Sequence, residues 1–113
     1  MINDNLIKEL PFAITVCDKD GKIIVMNDKS IKTFEKYGGQ KLIGQSLFGC
    51  HPGESGVKLA SLLSSGEVNC YTIEKAGIHK MIYQSPWFEN GSYMGFVELS
   101  LQIPSEVPHF VRS

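Results

Sequence analysis

The feature that most constrains this chain is a strict alternation of apolar and polar residues close to its C-terminus. The apolar positions are Val97, Leu99, Leu101 and Ile103, and the polar positions between them are Glu98, Ser100 and Gln102. A period of two residues is that of a β-strand whose two faces meet different surroundings. Just before it, Asn90-Gly91 is a strong signal for a two-residue hairpin turn. Strands are also predicted over 68–74 and 78–88, joined by a turn at 75–77, so the chain ends in a three-stranded antiparallel meander.

The N-terminal third predicts a β-hairpin flanked by two helices. Residues 12–17 and 23–26 form two apolar runs on either side of a polar turn with Gly21. Residues 2–10 place apolar side chains at helical spacing, and Pro11 ends that short amphipathic helix. After the hairpin, Asn27 or Asp28 is predicted to cap a second helix, which ends at Gly38-Gly39. The inward face of this second helix is predicted to hold Ile31, Phe34 and Tyr37.

A third helix is predicted from Pro52 to about Ser65, with Gly66 as its stop. Only a narrow face of this helix is polar, so we expect it to be largely buried. Its apolar positions are Val57, Leu59, Ala60, Leu62 and Leu63, and its polar face holds Lys58, Ser61 and Ser65.

The order of these elements predicts an α+β fold, in which helices pack on one face of a five-stranded antiparallel sheet. The helical section is then a crossover between the hairpin and the meander, and it encloses an apolar space that suits a small ligand. We interpret residues 1–113 as one domain, with a helix over 1–10, a core over 11–103 and an irregular tail over 104–113.

Charge and composition narrow the classes of partner. The 11 Lys and Arg residues against 12 Asp and Glu residues give a net charge of −1, which offers no basic surface for nucleic acid or anionic lipid. No apolar run approaches the length of a membrane span, and the N-terminus lacks the pattern of a secretion signal. Three cysteines are too few for a disulfide framework. We therefore expect a cytoplasmic protein with no membrane or nucleic-acid partner.

Several short stretches, in this order and spacing, resemble the PAS domain family over roughly residues 10 to 103. They are the strand Ile14-Thr15-Val16-Cys17-Asp18, the turn Asp20-Gly21-Lys22-Ile23, Asn27 at the end of the second strand, Leu42-Ile43-Gly44-Gln45-Ser46 before the third helix, and Gly95-Phe96-Val97-Glu98-Leu99 in the last strand. More narrowly, Cys50-His51-Pro52 resembles a bacterial PAS subgroup that is often attached to hemerythrin-like domains.

The resemblance implies a sensory or signalling module rather than an enzyme, with an internal ligand pocket, protein-protein contacts and a signalling protein as partner. A homodimer is predicted from the residues themselves, because both faces of strand 78–88 are apolar and the apolar stripe of the N-terminal helix can cover one of them. The pocket candidates are Ile14, Phe34, Leu47, Phe48, His51, Leu59, Leu63, Tyr71, Tyr83, Val97 and Leu99. The dimer-interface candidates are Ile2, Leu6, Ile7, Leu10 and Trp87. The resemblance does not name the ligand. Gly44-Gln45-Ser46-Leu47 lacks the reactive cysteine of flavin-binding light sensors, which argues against a flavin photoadduct.

Three other functions remain open from the residues. A filled interior would make the domain a ligand-free structural adaptor or dimerisation module. Because imidazole is a suitable iron ligand, His51 would be a heme ligand if heme is bound; no other metal site is predicted. Cys50 and His51 could serve a small enzyme, but adjacent side chains diverge from the backbone and no third group orients the histidine, so we predict no catalytic residues.

Overall fold

A computed structural model describes residues 3–47 and 54–113 of the chain. Helix α1 covers Asn3–Lys8, and the hairpin strands β1 and β2 cover Ala13–Asp18 and Ile23–Met26. Helix α2 covers Asp28–Thr33, and two short 3-10 turns, Glu35–Tyr37 and Gly39–Leu42, follow it. Helix α3 covers Glu54–Ser65, and the strands β3, β4 and β5 cover Asn69–Lys75, Ile78–Glu89 and Ser92–Ile103. The predicted order of elements is confirmed.

The five strands form one antiparallel sheet in the order β2-β1-β5-β4-β3. The last strand therefore lies in the middle, where it pairs with β1 on one side and with β4 on the other. This arrangement joins the N-terminal hairpin to the C-terminal meander and confirms the predicted α+β fold class. The helical section between β2 and β3 crosses from one edge of the sheet to the other.

Both predicted hairpin turns of the meander have the backbone that their residues favour. Ala76-Gly77 and Asn90-Gly91 each place two successive residues at positive φ, 53° and 80° in the first turn and 51° and 82° in the second. Two successive positive φ values match the right-handed twist of the flanking strands. The Asn-Gly pair is the better suited of the two, because asparagine tolerates this region more readily than alanine does.

Asn27 connects three segments of the N-terminal half. Its side-chain oxygen accepts hydrogen bonds from the amides of Ile14 and Ser30, at 2.9 and 3.0 Å, so it caps α2 as predicted. Its side-chain nitrogen donates to the carbonyls of Ile7 and Phe12, at 3.0 and 2.8 Å. The Asn27 side chain is thus the link that fixes α1 and the start of β1 against α2.

The helices cover the face of the sheet that carries the polar positions of β5, although apolar residues usually face a core. The hydroxyl of Thr15 on β1 bonds to that of Ser30 on α2, so the face that carries Thr15 is the one that the helices cover. Across from Thr15, the register pairs Glu98, and so the polar positions of β5 face the helices. The apolar stripe of β5, which includes Leu99 and Leu101, lies on the opposite, outer face.

The core lies between the inner face of the sheet and the helices. One cluster of buried residues joins Cys17 and Phe96 of the sheet to Leu62 and Leu63 of α3. A second cluster joins the hairpin to the turns after α2, and its members are Ile23, Met26 and Leu42. Both clusters are small, so substantial apolar surface remains outside them.

Two predictions about burial are wrong. Helix α3 is not largely buried, because Val57 is 72% exposed and only Leu62 and Leu63 are buried among its described side chains. Tyr37 does not lie inward with Ile31 and Phe34, because α2 ends at Thr33 and the chain tightens into a 3-10 turn that leaves Tyr37 67% exposed. Tyr37 lies beyond the end of the helix to which its spacing assigned it. Helix α3 does form, but its buried positions are confined to Leu62 and Leu63 among the described side chains.

Gly95 pairs with Asp18 on β1 and leaves no room for a side chain. A side chain at Gly95 would collide with the carbonyl of Cys17, and its φ of 146° is accessible to few other residues. The indole nitrogen of Trp87, which pairs with Gly95 on the other side, donates to this same carbonyl at 3.0 Å. Because Gly95 has no side chain, the indole of Trp87 on β4 reaches the carbonyl of Cys17 on β1 across the intervening strand β5.

Over the described ranges 3–47 and 54–113, no helix is both long and apolar enough to cross a membrane. The predicted cytoplasmic location stays a prediction.

Candidate functional site

A cavity of about 690 Å³ lies between the inner face of the sheet and the helical section. This volume falls within the range of sites that bind small molecules. The helical section contributes Phe34, Tyr37, Leu42, Leu47, Lys58, Leu59 and Leu62 to its wall. The sheet contributes Thr15, Cys17, Ile23, Met26, Asn69, Tyr71, Gln84, Phe96, Val97 and Glu98.

The cavity reaches the surface on the side where its lining residues are exposed. Tyr37, Lys58 and Tyr71 line it, and each of them is exposed to solvent. Its other end lies against the buried side chains of Ile23 and Phe96. The cavity therefore has an open mouth with polar side chains and an apolar inner end.

A row of polar side chains crosses the sheet beneath the cavity. The strand register places Asn69 of β3 beside Gln84 of β4, and Gln84 beside Glu98 of β5. The side-chain nitrogen of Asn69 donates to the Oε1 atom of Gln84 at 2.8 Å, and the Nε2 atom of Gln84 donates to the Oε2 atom of Glu98 at 2.8 Å. We call these three residues the polar ladder.

The charge of Glu98 determines which group donates and which accepts in each hydrogen bond of the polar ladder. An ionised carboxylate only accepts hydrogen bonds, so Gln84 must offer it an N–H group. The carbonyl oxygen of Gln84 is then left for its other neighbour, and Asn69 must donate to it. The three side chains are thus held in one orientation across three strands, which is the preorganisation that a binding site needs.

Only some of the hydrogen-bonding groups of the polar ladder have protein partners. Glu98 receives a single side-chain hydrogen bond, from Gln84, and no Lys, Arg or His of the described residues forms an ion pair with it. Asn69 likewise makes one side-chain bond, and all three ladder residues are half-buried. Their remaining donors and acceptors are available to water or to a ligand in the cavity.

The negative charge of Glu98 affects other groups in the cavity wall. The pKa of Tyr71 is raised, mainly by the partial burial that remains although this side chain is 44% exposed, and further by the charge of Glu98. The pKa of the Cys17 thiol is also raised, mainly because burial disfavours the thiolate, while the charges of Asp18 and Glu98 add to the effect. Both groups therefore remain protonated near neutral pH, and Glu98 supplies negative charge to this part of the wall.

Five of the residues predicted for the pocket are brought together around the cavity. They are Phe34, Leu47, Leu59, Tyr71 and Val97. Leu63 lies in the adjoining core cluster with Cys17 and Phe96 rather than in the wall. Phe48 and His51 lie outside the described residues. The role of these residues in ligand binding stays a prediction.

Three other predicted pocket residues lie on the outer face of the sheet. Ile14 pairs with Leu99, and Leu99 pairs with Tyr83, in a row that alternates with the inward row of Thr15 and Glu98. The prediction placed the apolar side of β5 toward the helices, because apolar residues usually face the core. The structure reverses the faces, and the polar ladder occupies the inward position.

Sequence reasoning missed Gln84, Asn69 and Glu98 as site residues. Each was visible as a polar residue in a predicted strand, but only the pairing register brings the three into one row. Register is a long-range property, which a single sequence does not encode in any short pattern. Glu98 was visible as the charged position among the polar residues of the alternating strand β5, but alternation alone does not say that this face is the inner one.

The predicted dimer-interface residues lie at or near the surface where the structure describes them. Leu6 is 66% exposed, and Ile7 and Leu10 are half-buried. Trp87 is half-buried and bonded to the Cys17 carbonyl, whereas Ile2 lies outside the described residues. The dimer itself stays a prediction.

Comparison with known proteins shows what this architecture is similar to. No family model matches the chain, and no curated protein matches it. Solved structures do match. The PAS domain of BvgS from Bordetella pertussis aligns over 92% of this chain and 85% of its own length, with 17% identity and a TM-score of 0.70.

Two further solved structures come from Vibrio cholerae. A sensory box sensor histidine kinase aligns over 93% of this chain and 91% of its own, with 15% identity and a TM-score of 0.62. The Aer2 receptor, described as a dual PAS-heme oxygen sensor, aligns over 82% of this chain and 95% of its own, with 12% identity and a TM-score of 0.63. At these identities the similarity shows the fold alone, and that fold is the PAS fold.

Proposed function

We propose that this protein is a sensory or signalling module that binds a small molecule in the cavity beneath α3. The observation that carries the proposal is the cavity of about 690 Å³, with an apolar inner end and a preorganised polar ladder in its wall. Apolar walls with a few fixed polar groups are typical of small-molecule sites. The similarity to PAS domains of sensor kinases and receptors supports a signalling role.

Helix α3 is the element best placed to respond to a ligand. Leu59 and Leu62 line the cavity, while Val57 on the same helix is exposed. A ligand changes the position or order of such a helix only if it binds one arrangement more tightly than the other. Contacts with Leu59 and Leu62 on one side and with the polar ladder on the other would supply that difference.

The test uses a cavity-filling substitution with a matched control. Leu59→Trp places a large ring in the cavity, whereas Val57→Trp places the same ring on the exposed side of the same helix. The readouts are native mass spectrometry of the purified protein, for any bound small molecule, and the fluorescence of the neutral apolar probe N-phenyl-1-naphthylamine.

The wild type and Val57→Trp are expected to bind one equivalent of the probe or of a co-purified molecule, and Leu59→Trp is expected to lose most of it. Equal binding by all three proteins would place the probe outside the cavity and contradict the proposal. Absence of both probe and bound mass from the wild type would contradict it as well.

A ligand-free adaptor or homodimerisation module is the second candidate, and the apolar outer face of the sheet favours it. Leu99, Leu101 and Tyr83 lie on that face, and none of them is fully buried. The exposed Leu6 of α1 supplies further apolar surface. Replacement of Leu6 by Asp is expected to shift sedimentation toward the monomer if α1 contributes to a dimer; an unchanged profile would remove α1 from the interface.

Heme and enzymatic turnover are not part of the proposal. Among the described residues that line the cavity there is no histidine. Both functions would depend on His51 or Cys50, which lie outside the described residues. A Soret band in the absorption spectrum of the purified protein would reopen the heme hypothesis.

The narrower resemblance, to bacterial PAS domains often attached to hemerythrin-like domains, depends on Cys50-His51-Pro52. That stretch also lies outside the described residues, so the subgroup stays a prediction. The cytoplasmic location and the signalling partner likewise stay predictions.

A further inference from the structure

The inner wall of the cavity carries a carboxylate with unused hydrogen-bonding capacity. Glu98 accepts one side-chain hydrogen bond, from Gln84, although an ionised carboxylate has room for about four. No cationic side chain of residues 3–47 and 54–113 lies within ion-pair distance of it. Water satisfies the remaining lone pairs as long as the cavity is open to solvent.

A ligand that fills the cavity displaces that water and must replace its hydrogen bonds. A purely apolar ligand would leave lone pairs of Glu98 without donors, which is unfavourable above all for a charged group. An anionic ligand would also place a second negative charge close to Glu98 in a medium of low dielectric constant. A ligand that presents N–H donors satisfies Glu98 and forms a charge-assisted hydrogen bond with it.

Lys58 does not reverse this preference. It is the one cation among the described residues that line the cavity, but it lies on α3 and is exposed, so its ammonium group remains hydrated. Glu98 is half-buried at the centre of the sheet, and its charge adds to the raised pKa of both Tyr71 and Cys17. The carboxylate therefore determines the polarity of the inner cavity.

Aromatic side chains define the remaining part of the wall. Phe34 and Tyr71 line the cavity from the helical section and from the sheet, and Phe96 is buried at its inner end. Ring systems favour aromatic surroundings, both for stacking and for edge-to-face contact. The site thus combines an apolar, ring-accepting volume with an acceptor at a fixed position.

We infer that the cavity is selective for a ring compound of small-molecule size that carries a nitrogen-based donor group, such as an amidine or a protonated ring amine, which Glu98 binds by its N–H groups. The polar ladder holds the carboxylate in place for this contact, since Gln84 is bonded to it on one side and to Asn69 on the other. This inference rests on the proposed function, because it requires that the cavity bind a ligand at all.

The test compares three probes that share one ring and differ in charge: 2-naphthamidine, 2-naphthamide and 2-naphthoate. Their affinities are measured by competition with N-phenyl-1-naphthylamine in the wild-type protein and in Glu98→Gln. Glu98→Gln removes the charge but keeps an oxygen that can accept from Gln84, so the ladder is retained. Glu89→Gln, at an exposed position at the end of β4, is the control for a change of net charge alone.

In the wild type and in Glu89→Gln, naphthamidine is expected to bind about tenfold or more tightly than naphthoate, the effect of one charge-assisted hydrogen bond. In Glu98→Gln this ratio is expected to fall to about threefold or less. Naphthoate binding as tightly as naphthamidine in the wild type, or an unchanged ratio in Glu98→Gln, would overturn the inference.

The outcomes also separate this inference from the proposed function. If the probes compete with N-phenyl-1-naphthylamine, and Leu59→Trp abolishes binding, but no charge preference appears, the cavity is a binding site and only the inferred ligand class is wrong. If none of the three naphthalene probes binds to the wild type, the inferred ligand class is also wrong. If, in addition, N-phenyl-1-naphthylamine does not bind and no co-purified mass appears, the proposed function falls with it.

Discussion

Two asparagines of this protein lie in opposite kinds of surroundings. Asn27 is 2% exposed, and its side chain makes four hydrogen bonds, to Ile7, Phe12, Ile14 and Ser30. Asn69 is half-buried at the edge of the cavity, and its side chain makes one, to Gln84. The hydrogen-bonding groups of the Asn27 side chain thus all have protein partners, whereas most of those of Asn69 have none.

The difference distinguishes a structural polar group from a binding group. The side chain of Asn27 has no capacity left for a ligand, because two donors and two acceptor sites all have protein partners. The polar ladder retains unpaired donors and acceptors that face a cavity. Burial of polar residues alone therefore does not indicate a site; the number of unmet hydrogen bonds next to empty volume does.

The largest effect is expected at Asn27. Asn27→Ala leaves the buried amides of Ile14 and Ser30 and the carbonyl of Phe12 without a side-chain partner, while the Ile7 carbonyl keeps the Leu10 amide. The free energy of unfolding should therefore fall by about 3–5 kcal/mol. Asn69→Ala is the matched substitution in the ladder, and its cost should be about 1 kcal/mol or less because the site is open to water. Urea unfolding of both variants measures the contrast.

Asn27→Asp refines this first prediction. The aspartate keeps an oxygen for the amides of Ile14 and Ser30 but loses both bonds to the carbonyls of Ile7 and Phe12. Its second oxygen would lie against those two carbonyl oxygens at a position where Asn27 is only 2% exposed, so Asn27→Asp should be at least as destabilising as Asn27→Ala. Equal losses for Asn27→Ala and Asn69→Ala would contradict the proposed division between the two regions.

An intermediate effect is expected where the two regions meet. Thr15 lines the cavity, yet its hydroxyl bonds to the fully buried Ser30 on α2. Thr15→Val keeps the shape and leaves Ser30 without this partner, which should cost about 1–2 kcal/mol. Thr72→Val, at an exposed position of β3, is the control and should change stability by less than about 0.5 kcal/mol.

A smaller effect on stability is expected at Glu98, the end of the polar ladder that lies on the central strand β5. Glu98→Leu removes a half-buried charge and one hydrogen bond, and it adds apolar surface to the cavity. The opposing contributions should leave the free energy of unfolding within about 1 kcal/mol of the wild type. A loss comparable to that of Asn27→Ala would mean that the ladder holds the fold together, and Glu98 would then be a structural residue.

Most of the fold could be predicted from the sequence because its signals are local. The alternation in β5, the Asn90-Gly91 turn and the cap at Asn27 each depend on neighbouring residues, and all three are present. The order of these elements predicts the five-stranded sheet, and the resemblance to PAS domains implies the same sheet. Local signals and overall fold agree here, as they do in most natural sequences.

The site could be predicted only in part, because it depends on which face of β5 the helices cover. Alternation shows that Leu99 and Glu98 lie on opposite faces, but it does not say which face is inside. The general preference for apolar cores assigned Leu99 to the pocket. The structure instead turns Glu98 inward, and a charged residue in that position is the kind of local exception that marks a functional site.

The smallest effect is expected from the Cys17 thiol, which borders both the core and the cavity. Burial, the larger cause, and the charges of Asp18 and Glu98 raise its pKa in the folded protein. The unfolded thiol loses its proton at about pH 8.5. Above that pH the unfolded state binds fewer protons than the folded state, so stability is fully present at lower pH and declines as pH rises toward the folded pKa.

The urea midpoint of the wild type should therefore decrease between pH 7 and pH 9.5 more than that of Cys17→Ala, in which this titration is absent. An equal decrease in both proteins would assign the alkaline loss to other groups, of which Tyr93, with its raised pKa and its hydroxyl bonded to the Leu63 carbonyl, is the first to test by Tyr93→Phe.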